Sequence, residues 1–198
     1  MMLLQWLLII LALTSVLISI HLIWTVYRLR SHPCIEPVEI ALPELSDELN
    51  QMLNNIAHAA DISITPSLFI RRAALPNAFV VATFFRPELY LTDELLEHCN
   101  EIEHGLEKLT HILCHECAHI KRNDSIRLGL LTYALQWTAA LHVNTLQHHI
   151  QSKISHIELQ TDIAAEKIFK TLTFTANSQT GVWQDAAFKC SIIETINQ

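Results

Sequence analysis

Two histidines four residues apart flank a glutamate in the run His115-Glu116-Cys117-Ala118-His119. On a helix that spacing stacks both imidazoles on one face, so that two nitrogens can meet one Zn²⁺ at about 2.0–2.1 Å. Glu116 is rotated about 100° from His115, where it reaches a metal-bound water rather than the metal. Zn²⁺ lowers the pKa of such a water from about 15.7 towards about 7. A glutamate so placed accepts the water's proton as it attacks a peptide carbonyl, then delivers it to the leaving amine. The competing reading is a solvated polar stripe on a surface helix. Against it, the motif sits inside an apolar helix, where polar groups need partners.

A catalytic zinc site needs a third protein ligand and an open position. Asp124 lies five residues past His119 and on a continuing helix would point about 140° away, which makes it a poor direct ligand. Glu158 and Asp162 are better placed, four apart on a later helix and hence on one face. One carboxylate can bind the metal while the other accepts the N–H of a ligating histidine and fixes its tautomer. The plainer alternative is a pair of exposed charges on an amphipathic helix. His142, His148, His149 and His156 are rival ligands. His156 lies about 200° round from Glu158, which argues against those two sharing a metal.

Around these residues the chain has 198 positions, room for one domain of ordinary size plus an anchor. The net charge of −7 argues against a nucleic-acid partner, which would call for a basic face. Only three glycines point to a helix-rich fold. The five cysteines are odd in number and scattered, unlike a disulfide framework, and suit a reducing compartment. Cys114 and Cys117 form a C-x-x-C with no second pair at zinc-ribbon spacing, so they read as small residues packing one helix.

From Met1 to Tyr27 there is no charged residue, and Leu3 to Val26 is almost wholly apolar. Roughly 20 residues cross a hydrocarbon core. The stretch has no basic n-region and no A-x-A-like cleavage site, so a retained transmembrane anchor over residues 1–30 is expected rather than a signal peptide. Trp6, Trp24 and Tyr27 lie near its ends, as interfacial aromatics do. Arg28 and Arg30 follow it and no Lys or Arg precedes it, which by the positive-inside rule places the C-terminal domain in the cytoplasm. Membrane lipid is then a partner through the N-terminal helix.

The remaining chain, 31–198, reads as one domain. His32 to Pro43 is a linker, with Pro33, Pro37 and Pro43 blocking helix. Leu49, Met52, Leu53, Ile56 and Ala60 form a helical stripe over about 44–60, behind Ser46-Asp47-Glu48 as cap and acidic first turn. Ile62 to Ile70, Ala78 to Phe85 and Leu89 to Leu91 read as a small antiparallel sheet. Thr92-Asp93-Glu94 caps a helix to about Asn100. Glu103 to Lys121 is a helix with Leu106, Leu109, Ile112, Leu113 and Ile120 as its apolar stripe. Leu128 to Val143 is apolar but short for a span and holds Gln136 and His142. It reads as a buried or membrane-surface helix, which makes the protein single-pass, or two-pass if this segment also crosses. Ser155 to Leu172 is a further helix, and 173–198 carries no motif.

Three spaced motifs resemble the gluzincin membrane metallopeptidases. They are Leu75-Pro76-Asn77-Ala78-Phe79, then Arg86-Pro87-Glu88-Leu89-Tyr90-Leu91-Thr92, then His115 through Asp124. The Asn-Ala-Phe run and a later Glu-x-x-x-Asp are similar to the CAAX prenyl-protease and heat-shock membrane peptidase branch. The His-Ile-Lys-Arg-Asn-Asp ending is similar to the β-lactam-sensor antirepressor branch. The resemblance covers about 62–169 and implies a helix-rich α+β, zincin-like metallopeptidase domain with one Zn²⁺ per chain. It implies His115, His119 and Glu158 as ligands, Glu116 as the catalytic base and Asp162 behind a ligand. It also implies that the strand opening with Asn77, Ala78 and Phe79 binds a protein or peptide substrate by adding it to the sheet edge. The chain departs from the pattern at Cys117, where an apolar residue is usual, and at Thr161, where a small one is usual. The implied activity is zinc-dependent endopeptidase. The alternative is a non-catalytic zinc-binding sensor or scaffold, which has no need of Glu116.

Overall fold

The structure is a computed structural model and describes residues 31–81, 86–140 and 142–178, with isolated positions between 5 and 28. The chain divides into two units, 1–35 and 36–198. In the first, the described positions up to Arg28 are helical. Most of the expected transmembrane anchor, 1–30, lies outside the described residues. Among the described residues no helix is long and apolar enough to cross a membrane.

The second unit is helix-rich with a four-stranded sheet. Its strands are β1 (Ile35–Pro37), β2 (Ser67–Arg71), β3 (Ala78–Val81) and β4 (Glu88–Thr92), in the order β1-β2-β4-β3. Its helices are α1 (Val38–Ala41), α2 (Ser46–Ala59), α3 (Asp93–Glu101), α4 (Gly105–Arg122), α5 (Asp124–Ala140) and α6 (Asn144–Ser178). Part of the expected linker is therefore ordered. Pro37 ends a short strand and precedes α1, whose Val38 is wholly buried. Proline just ahead of a helix costs no hydrogen bond there.

The sheet is mixed rather than antiparallel throughout. β3 pairs antiparallel with β4, but β2 pairs parallel with β4, Ser67 opposite Glu88 through Arg71 opposite Thr92. The reason lies in β4, every residue of which is buried. A strand covered on both faces belongs at the centre of a sheet, so β3 is pushed to the far side and becomes an edge. Tyr90 of β4 stacks between Phe69 of β2, at 5.2 Å, and Phe79 of β3, at 4.9 Å. Leu89 and Leu91 face the other way, into the core.

That core also takes the whole predicted stripe of α2, Leu49, Met52, Leu53, Ile56 and Ala60. Full burial of each large aliphatic contributes about 1.5–3 kcal/mol relative to exposure. Thr92 caps α3, its hydroxyl accepting from the Leu95 N–H at 3.3 Å. α4 runs through the centre with Leu109, Leu113, Cys114 and Cys117 wholly buried. Burial pushes the Cys114 thiol up to about 12 and raises Cys117 as well, so both serve packing. α5 packs one side inward and leaves Ile126, Leu130 and Trp137 exposed. α6 is longer than the expected helix at both ends.

α4 can start where it does only because residue 105 is glycine. A Cβ there would lie 1.5 Å from the Cys99 carbonyl oxygen, a backbone atom that cannot swing aside. Gly105→Ala should therefore cost about 3 kcal/mol of stability. Urea unfolding of the two proteins measures it, and a change under about 0.5 kcal/mol would refute the packing described.

Candidate metal centre

α4 presents His115 and His119 one turn apart on the side facing α6, and α6 presents Glu158 towards them. The Nε2 atoms of His115 and His119 are 3.1 Å apart. Glu158 Oε2 lies 3.5 Å from each of them. Tetrahedral ligation at about 2.0–2.1 Å places donor atoms about 3.3 Å from one another. The triangle of 3.1, 3.5 and 3.5 Å therefore fits one zinc ion without rearrangement. Two nitrogens and one carboxylate oxygen are also the donor set zinc takes in hydrolytic sites.

Asp162, one turn beyond Glu158, receives the other nitrogen of His115: Nδ1 is 2.9 Å from Asp162 Oδ1. That bond places the proton on Nδ1 and leaves Nε2 with its lone pair towards the triangle. Among the described residues these three donors form the one cluster with metal-ligand spacing. The rival histidines do not join it. His149 and His156 line a separate groove between α5 and α6.

Glu116 is nearly buried and stands beside the triangle rather than in it. Burial pushes its carboxyl up to about 7; the nearby Glu158 charge adds to this, while His115 and a hydrogen bond from the Val80 backbone pull the other way. The Val80 bond shows how the sheet reaches the site. In an antiparallel pair alternate residues turn their N–H and C=O groups away from the partner strand. Asn77 is bonded to β4, through Thr92 N–H to Asn77 O at 3.0 Å. Ala78 and Val80 fall in the opposite phase to Asn77, so Val80 presents its N–H outward, to Glu116.

A cleft of about 540 Å³ opens beside the donor triangle and, of the three donor residues, includes His115 in its lining. Asn77 and Ala78 line one wall, His115 and Glu116 the floor, Asp162 and Glu166 the other wall. Phe79, singled out with its two neighbours from the sequence, faces away from the cleft and stacks on Tyr90. Two cleft residues went unread in the sequence. His111 lies one turn before His115 and stacks on Phe169 at 3.7 Å. Glu166 lies one turn after Asp162. Both continue the i, i+4 ladders of their helices, which is the signal that marks them.

The sequence model of peptidase family M48 matches residues 43–182. The chain belongs to that family. No curated protein and no solved structure matches it. M48 peptidases are zinc-dependent metalloproteases, and the matched span contains all three donors and Glu116. In this M48 chain the wild type is expected to keep about one zinc per chain after dialysis, and His115→Ala and Glu158→Ala should each fall well below it. Full zinc retention in Glu158→Ala, read by metal analysis, would remove that carboxylate from the ligand set.

Proposed function

We propose that the chain is a membrane-anchored zinc endopeptidase that cuts protein or peptide segments laid along the outer edge of β3. The observation that supports it is the division of labour between two glutamates. Glu158 points into the donor triangle, while Glu116 lies beside it, buried, with its carboxyl raised to about 7. A carboxyl in that range can both take and return a proton at neutral pH. A bare zinc-binding scaffold has no use for such a group.

His115, His119 and Glu158 would hold the ion. Zinc bound there supplies a Lewis acid that acidifies a water and polarises the scissile carbonyl. Glu116 takes the proton of the attacking water on its carboxylate and hands it to the leaving amine. Asp162 keeps His115 in the ligating tautomer. The outward N–H and C=O groups of β3 hold an extended substrate by adding it to the sheet, with Asn77 and Ala78 beside it.

The membrane reading rests on the uncharged apolar run from Leu3 to Val26, its flanking aromatics, and Arg28 and Arg30 after it. It places the catalytic unit on the cytoplasmic side. α5 carries no charge after Arg127 and exposes Ile126, Leu130 and Trp137, as a helix resting on a bilayer surface does.

The test is the Glu116→Gln variant of the full chain in detergent, assayed on unfolded casein. It should keep its zinc and lose cleavage by about 10²–10⁴-fold. Equal cleavage by variant and wild type would end the enzyme reading.

A further inference from the structure

His115 and His119 are secured by different means. A metal-ligating histidine nearly always gives its second N–H to a fixed acceptor, because that bond sets both tautomer and ring angle. His115 gives its own to Asp162, which is largely solvent-exposed. Among the described residues no carboxylate is in direct reach of His119 Nδ1. Its neighbour there is the Thr161 hydroxyl, with Oγ1 at 3.4 Å. Thr161 is wholly buried.

Behind the hydroxyl lies a second buried group. Thr161 Oγ1 is 3.4 Å from Asp124 Oδ2, and Asp124 is also wholly buried. On a continuing helix Asp124 would point away from the site. The helix does not continue: Asn123 adopts a left-handed conformation, φ 55°, and ends α4. Asparagine tolerates that conformation better than most residues. Asp124 then opens α5 and turns back under His119. Arg122 Nε holds its Oδ2 at 2.6 Å, and Arg127 lies 3.7 Å from Oδ1, which makes no hydrogen bond. An ionised carboxylate is costly to bury and is kept where it is paired or serves the site.

We propose that Thr161 is the positioning residue for His119, relaying the buried carboxylate of Asp124 to it. A hydroxyl has one hydrogen to give and two lone pairs to receive with. It accepts the Nδ1–H of His119 and donates towards Asp124, which leaves Nε2 of His119 unprotonated and turned to the donor triangle. The competing role for the same hydroxyl is local: it also lies 3.0 Å from the Ile157 carbonyl one turn back. A hydroxyl that donated to that carbonyl could still accept from His119, but it would relay nothing from Asp124. The site would thus have an outer ligand secured by an exposed aspartate and an inner one secured through a dry relay.

The inference rests on the zinc reading above, and the experiment separates the two. Zinc affinity of the full chain in detergent is measured by competition with a chromophoric chelator for wild type, Thr161→Val, Thr161→Ser and Asp124→Asn. Circular dichroism of the metal-free proteins reports folding independently. Valine keeps the volume and removes the hydroxyl, and should weaken zinc binding by about 10–100-fold. Serine restores the hydroxyl and should stay within about threefold of wild type. Equal affinity in wild type and Thr161→Val overturns the relay, as does equal weakening by valine and serine. If Thr161→Val does not fold, Asp124→Asn decides: weaker zinc binding supports the relay, and unchanged binding overturns it. A wild type that takes up no zinc overturns the metal reading and the relay with it.

Discussion

The structure depends on the packing of α4 against α6. Neither helix alone can make the site, since α4 supplies two nitrogens and α6 the oxygen that completes the triangle. The contact is held from beneath by apolar groups, Leu109, Leu113 and Cys117 on α4 and Ala165 and Ile168 on α6. Donor atoms 3.1–3.5 Å apart leave little room for error. A slip of one helix past the other by a single residue would move a donor by about 1.5 Å and rotate it by about 100°. Small residues such as Cys117 and Ala118 suit a helix that must pack closely on several neighbours, and the chain's departure from the family pattern at Cys117 changes nothing in this respect.

The helix pair and the start of α5 together sort four carboxylates by environment. Glu158 and Asp162 lie towards solvent, where a charge costs little, and face the histidines. Glu116 lies in a drier place, where the neutral form gains. Asp124 is deeper still, kept beside the Arg122 guanidinium. Residue type alone does not distinguish these roles. Distance to the imidazoles and access to water do, and both are set by which turn of which helix carries the group.

Much of this was legible in the sequence, because helical spacing is regular. That His115/His119 and Glu158/Asp162 each share a helix face needed only the period of the helix, as did the buried stripe of α2, whereas the roles of Glu158 and Asp162 came from the family resemblance. The N-cap at Thr92 was legible from local hydrogen-bonding chemistry. What was lost depended on chain reversals. The parallel pairing of β2 with β4 is a matter of strand order, which alternation within a strand does not encode. The ordering of Ile35–Ala41 comes from burial of Val38 against the rest of the unit, a tertiary effect that overrides three nearby prolines. Asp124 stays outside the donor set as its spacing suggested, but its place beneath His119 was hidden because one left-handed residue, Asn123, replaces a continuing helix with a turn. Phe79 was read with its neighbours as one substrate-facing run, whereas strand alternation sends it to the other face.

Everything in the site turns on one zinc ion held among two imidazoles from α4 and one carboxylate from α6. X-ray absorption at the zinc edge of the metal-loaded full chain tests it most directly. A first shell of nitrogen and oxygen at about 2.0–2.1 Å is expected, with outer-shell scattering from two imidazoles. A sulfur shell at about 2.3 Å, or scattering from three or more imidazoles, would contradict it.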